Sequence, residues 1–119
     1  MCYNANSLRK KEGSTINKTI DKIAYHKKLT EEIHDLYQRK NHDYGDSFGR
    51  TYEALGIISA ATRISDKYNR FITLAKGNKA LVNTESIRDT LIDMANYALM
   101  TIIELDNTEQ ENTNDLCRG

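Results

Sequence analysis

Not one of the 119 residues is proline, so any helix in this chain can be stopped only by glycine, by a capping side chain or by loss of its apolar period. Strand signals are nearly absent, whereas apolar residues recur at spacings of three and four. Ser14 and Thr15 are placed to cap a helix running through Ile16, Ile20, Ile23 and Ala24. A stronger start follows at Thr30, with Glu31 and Glu32 next and Ile33, Leu36 and Tyr37 at helical spacing. One helix or two satisfies this pattern. Helical character is expected to end near Asn41, and His42 to Gly49, with two glycines and no apolar period, reads as a loop or a loop entering a short helix.

From about Ile57 to Lys76, the apolar seam Ile57, Ala61, Ile64, Tyr68 and Phe71 predicts an amphipathic helix that Gly77 stops. After the polar link Asn78 to Asn83, Thr84 is the expected cap of the last helix. Its apolar face is Ile87, Leu91, Met94, Ala98, Ile102 and Leu105, and its end is expected at about Asp106. The expected fold is all-α: a small antiparallel bundle of three to four helices over residues 14–106, between a flexible basic N-terminus, 1–13, and a flexible acidic tail, 107–119.

A chain of this length supports one modest core. Apolar residues make up 39% and charged residues 29%, with a mean hydropathy of -0.68, a globular composition with polar ends. Formal charge is zero, which provides no global field for nucleic acid or membranes. The charge is nevertheless segregated. Arg9, Lys10, Lys11, Lys18, Lys22, Lys27 and Lys28 lie early, and Glu104, Asp106, Glu109, Glu111 and Asp115 lie late, as solvated faces or tails. Cys2 and Cys117 form no CxxC pair and read as reduced thiols. With no apolar run of membrane length and no apolar leader, the expected location is the cytoplasm.

Two constellations carry chemistry. On a helical wheel Glu85, Asp89, Asp93 and Asn96 share an arc of about 80°. Three carboxylates so stacked repel unless something positive faces them. A divalent cation such as Mg²⁺ would serve, and so would salt bridges to Arg63, Lys67 and Arg70 on the preceding helix. Glu32 and Asp35, one turn apart on an earlier helix, offer a second acid pair; Glu31 and Glu32 equally suit a helix N-terminus. The three histidines, His26, His34 and His42, are scattered and form no metal motif.

The second constellation is Lys40 to Arg50, KNHDYGDSFGR. Tyr44 and Phe48 flank Gly45, so a planar ligand could stack there while Lys40, Asp43, Ser47 and Arg50 reach its polar groups. Alternatively, the two rings plug the end of the core. The segment lacks the spacing of a phosphate-binding P-loop, and no histidine is placed beside Ser47 to activate it.

KNHDYGDSF at Lys40 to Phe48, RISDKYNR at Arg63 to Arg70 and ESIRDTLIDMANYALMTI at Glu85 to Ile102 together resemble the first nucleotide modification associated domain, common in bacteriophages and prophages. The resemblance spans roughly Leu29 to Leu105. It implies an all-helical, nucleotide-associated domain encoded beside genes for nucleotide or DNA-base modification. More distantly, EEIHD at Glu31 to Asp35 followed by an acidic helix is similar to MazG-like nucleoside triphosphate pyrophosphohydrolases. Here Glu85 and Asp89 are spaced ExxxD where that scheme has ExxD, and the acid groups stand farther apart.

By resemblance, Glu32, Asp35, Glu85 and Asp89 would hold Mg²⁺. Lys67 and Arg70 would stabilise developing charge, and Asp93 would act as a further ligand or base. Lys40, Asp43, Tyr44, Gly45, Ser47, Phe48, Arg50, Arg63 and Asn96 would bind the nucleotide. The alternative is a binder without turnover that delivers a nucleotide or sequesters a host nucleotide immune signal. Homo-oligomerisation is expected on the same resemblance.

Overall fold

The computed structural model describes residues 19–77 and 84–118, with backbone alone at 84, 85 and 115–118. Among the described residues there are four helices: α1 (Lys22–Tyr44), α2 (Ser47–Leu55), α3 (Ile57–Lys76) and α4 (Thr84–Arg118). The expected all-α class and helix number are as observed. No described helix is long and apolar enough to cross a membrane. The chain divides between Leu36 and Tyr37 into two units, so that the last turns of α1 belong with α2, α3 and α4.

In the first unit, Asp21 starts α1: its carboxylate accepts the Ala24 N–H at 3.2 Å. Thr30, read from sequence as a cap, instead lies inside the helix, and its hydroxyl donates to the Lys27 carbonyl at 2.7 Å. Once Asp21 has nucleated the helix, Thr30 can satisfy its hydroxyl on the preceding turn without opening a new terminus. Glu31 and Glu32 therefore have no helix N-terminus beside them to complement. Ser14, Thr15 and the N-terminal segment 1–13 fall outside the described residues.

In the second unit, α1 continues past the expected stop at Asn41 to Tyr44, where Gly45 terminates it. Gly45 has φ +68° and donates its N–H to the Asn41 carbonyl at 2.8 Å, a left-handed C-terminal turn that a side chain would strain. Asp46 then caps α2, accepting the Gly49 N–H at 2.9 Å. Gly49 is buried under that cap, and a Cβ there would overlap the Asp46 carboxylate. The expected loop is thus a two-residue joint between helices.

A second left-handed glycine, Gly56 at φ +79°, ends α2 and begins α3. Its carbonyl accepts both the N–H and the hydroxyl of Ser59, at 3.0 and 2.8 Å. Helix α3 has the bounds expected from periodicity, and Gly77 returns the chain to extended backbone.

The tightest association is between α3 and α4, with α2 touching both. As the α3 partner advances from Arg63 to Lys67 to Arg70, its α4 partner recedes from Tyr97 to Asp93 to Thr90, which defines an antiparallel pair. The pairing is polar where the sequence predicted apolar. Only Ala60 and Ile92 are buried hydrophobics among the described residues, alongside buried Thr90 and Asn96. The seams expected to face the core are only partly covered: Ile64, Phe71, Ile87 and Met94 are half-buried, whereas Ile57 and Tyr68 on α3 and Leu91, Ile102 and Leu105 on α4 are 42–53% exposed. Each seam was identified correctly as a stripe; periodicity does not state which neighbour it meets.

Helix α4 also continues beyond Asp106 to Arg118, with Thr108 and Thr113 hydroxyls bonding back to the carbonyls of Glu104 and Glu109. Side chains from Asp106 to Asn114 are exposed.

Ala60, fully buried at the contact of α3, leaves no space for a larger group. Ala60→Leu is expected to cost about 1–3 kcal/mol through overpacking, visible as a lower urea midpoint with little change in helix content.

Candidate functional site

The last turns of α1 present Tyr37, Lys40, Asn41 and Tyr44 at i, i+3, i+4 and i+7, and α4 presents Asp93, Asn96, Tyr97 and Met100 at the same intervals. These two faces, with the Gly45 to Phe48 joint and Arg63 of α3, enclose a cavity of about 310 Å³. That is the lower end of the roughly 300–1,000 Å³ of small-molecule sites. A second, more open depression along α4 is walled only by Asp106, Glu109, Gln110, Asn112, Thr113 and Asn114. One helix cannot enclose a ligand, and no aromatic or cation faces it.

Eight expected residues gather at the cavity: Lys40, Tyr44, Gly45, Ser47, Phe48, Arg63, Asp93 and Asn96. Lys67 joins from behind, its Nζ 2.9 Å from Asp93 Oδ2. Asp43 and Arg50 are exposed and do not line the wall, although the Arg50 guanidinium lies 3.7 Å from where a Cβ on Gly45 would stand. Arg70 is held on Thr90, with Nε 3.3 Å from its hydroxyl. Asp89 is exposed, and the Glu85 side chain falls outside the described residues. Glu32 and Asp35 are exposed residues of the first unit.

Tyr37, Asn41, Asp46, Tyr97 and Met100 were not foreseen. The signal was present in part: extending the Lys40 face by one turn in each direction identifies Tyr37 and Tyr44, but only once α1 is carried past Asn41.

The aromatic ligand slot inferred from Tyr44 and Phe48 is rearranged. Phe48 stacks on Tyr97, with centroids 5.9 Å apart and rings 22° from parallel, so it fills the end of the helix pair. A base cannot enter between rings so close. Tyr44, 71% exposed, and half-buried Tyr37 are the aromatic surfaces of the wall that remain outside that stack. The Arg63 guanidinium lies 5.9 Å from the Tyr97 ring centre and donates to its hydroxyl at 3.4 Å.

Charge in the cavity is unbalanced. Asp93 alone serves two ammonium groups, Lys67 at 2.9 Å and Lys40 at 3.6 Å. Among the described residues Arg63 has an aromatic partner and no carboxylate. Two acids, Asp93 and the α2-capping Asp46, stand against three cations, Lys40 and Arg63 on the wall and Lys67 behind it, which leaves a surplus of one positive charge beside Tyr44, suited to an anionic group.

Of the basic residues expected to face the acidic stripe, Lys67 reaches Asp93, and Lys40 of α1 reaches it as well. Among the described residues no three His, Cys, Asp or Glu side chains gather as a metal site.

Near the joint, Glu104 of α4 has its pKa raised, by desolvation first and then by Asp46, Glu53 and Glu111. The protonated form is the one folding favours, so the folded chain binds more protons than the unfolded chain between the ordinary and raised values, and stability falls as pH rises through that window. Glu104→Gln should raise the Tm at pH 7 and leave it unchanged in acid, below the ordinary glutamate range. Paired melting curves across pH check this.

Fold and site together define an all-helical domain with a small cavity lined by aromatic, basic and amide side chains. The chain belongs to the family described as nucleotide modification associated domain 1, whose profile matches residues 40–105, the span that holds every wall of the cavity except Tyr37. No curated protein and no solved structure matches the chain.

Proposed function

We propose that the cavity binds one nucleotide-sized molecule, anionic group toward Lys40 and Arg63 and base against Tyr44, without converting it. The observation that supports this is the shared carboxylate: Asp93 satisfies Lys67 closely and Lys40 loosely, leaving Lys40 and Arg63 to receive a phosphate. Asp46 and Asn96 on the same wall supply acceptor and donor groups for base edges or ribose. Family membership supports a nucleotide as the ligand and a setting in nucleotide modification.

Such a binder has two uses: handing a nucleotide to a modifying enzyme in the cytoplasm or, in a phage, withholding a host nucleotide immune signal. The Mg²⁺-dependent pyrophosphohydrolase reading requires Glu85 and Asp89 to meet Glu32 and Asp35 around a metal, with Asp93, Lys67 and Arg70 assisting. It draws less support, because Lys67 and Arg70 already hold Asp93 and Thr90.

The test is native mass spectrometry and calorimetry of the full chain with a panel of canonical, modified and cyclic nucleotides, each also incubated with Mg²⁺. Retention of intact nucleotide is expected. Release of phosphate or pyrophosphate would replace the binder by the hydrolase, and absence of binding across the panel would overturn both.

A further inference from the structure

Helix α4 is amphipathic in the reverse of the usual sense. Thr90, Asp93 and Tyr97, which meet α3, occupy one side of a wheel drawn at about 100° per residue, and Leu91, Ala95, Ala98, Ile102 and Leu105 occupy the opposite side. A helix normally turns its apolar stripe inward; here Leu91 is 42%, Ile102 52% and Leu105 42% exposed, with Leu99 at 51% and Ile103 at 52% widening the strip.

The stripe has a repeat. Arg88, Leu91, Ala95, Ala98, Ile102, Leu105 and Glu109 step alternately by three and four, the seam by which long helices pair. At about 1.5 Å per residue it is roughly 32 Å long. Its apolar part, Leu91 to Leu105, is roughly 21 Å long, and with Leu99 and Ile103 beside it the exposed strip approaches the few hundred Å² at which apolar surface marks an interaction site. The chain itself buries only Ala60 and Ile92 among its described hydrophobics, so little else holds it together.

We infer that a second copy of this chain covers the stripe, with the two α4 helices antiparallel. Charge sets the direction. Arg88 and Glu109 are exposed and occupy equivalent positions at opposite ends of the seam. A two-fold axis near Ala98 brings Arg88 of one copy to Glu109 of the other, Leu91 to Leu105, and small Ala95 to larger Ile102. A parallel pair would instead set arginine on arginine and glutamate on glutamate. The surface lies away from the α3 contact and does not depend on what the cavity binds.

The test is the mass of the full chain in solution at tens of micromolar, by size exclusion with light scattering. Twice the 13.6 kDa chain mass is expected. Ile102→Glu and, at the centre, Ala98→Glu should each yield a monomer of unchanged helix content; because Ile102 is half exposed within the chain, its replacement is compatible with the fold. Arg88→Glu or Glu109→Arg alone should weaken the dimer at least tenfold, and the two together should restore it. A monomeric wild type, whether the first unit or solvent covers the stripe, overturns the inference, as does a dimer indifferent to both Ile102→Glu and Ala98→Glu. Failure of the charge swap to restore pairing overturns the antiparallel alignment.

Discussion

If the cavity binds a nucleotide as proposed, Arg63→Ala is expected to weaken that binding by about 10- to 100-fold in calorimetry while leaving the melting temperature nearly unchanged. The range corresponds to one charge-assisted hydrogen bond, roughly 1.5–3 kcal/mol. Arg63 is exposed on α3, and its described partner is the ring and hydroxyl of Tyr97, so its loss uncovers no buried carboxylate and leaves the α3–α4 contact in place. Arg63→Lys recovers only part of the affinity, because an ammonium keeps the charge but loses the planar fork that lies on Tyr97 and grips a phosphate with two bonds. Undiminished affinity in Arg63→Ala would remove the surplus cation from the site and, with it, the reason to place a phosphate there.

Asp93→Asn separates the binder from the hydrolase. The carboxylate is 26% exposed and bridges Lys67 and Lys40, so its neutralisation leaves two ammonium groups facing each other across α3 and the end of α1. Partial burial puts the cost between that of a surface pair and a fully buried one, about 1–2 kcal/mol of stability. The cavity becomes more positive at the same time, so a nucleotide held through its phosphate binds at least as well and its affinity becomes more salt-sensitive. If Asp93 is instead a metal ligand or base, the same change abolishes any Mg²⁺-dependent turnover. Titrating one nucleotide at two salt concentrations, beside a phosphate-release assay, gives opposite results for the two roles.

The polar α3–α4 contact connects the two surfaces of α4. Using Thr90, Asp93 and Tyr97 to meet α3 places charged and hydrogen-bonding groups where a cavity can use them, but it leaves the apolar stripe on the other side exposed among the described residues. Cavity and exposed seam are consequences of one choice of helix rotation.

Much of this protein is local in origin and was therefore legible in the sequence. With no proline, the helices end where Gly45, Gly56 and Gly77 permit, and α3 runs between the last two with the bounds its periodicity predicts. The Lys40 to Arg50 segment could be singled out because two glycines and two rings lie within eleven residues, and it opens the span, 40–105, that matches the family. Those features depend on backbone conformation and near neighbours. What only the tertiary structure decided is which face of each helix meets another. Periodicity marks a stripe but carries no information about its partner, so Ile57, Tyr68, Leu91 and Ile102 were assigned to a core they do not enter. For the same reason Asp93 was weighed between a metal and three basic residues, whereas the fold brings it Lys67 and, from a different helix 53 positions away in sequence, Lys40. Contacts at that separation arise from the angle and rotation at which helices dock, and those are set by the summed packing of whole faces rather than by any single motif.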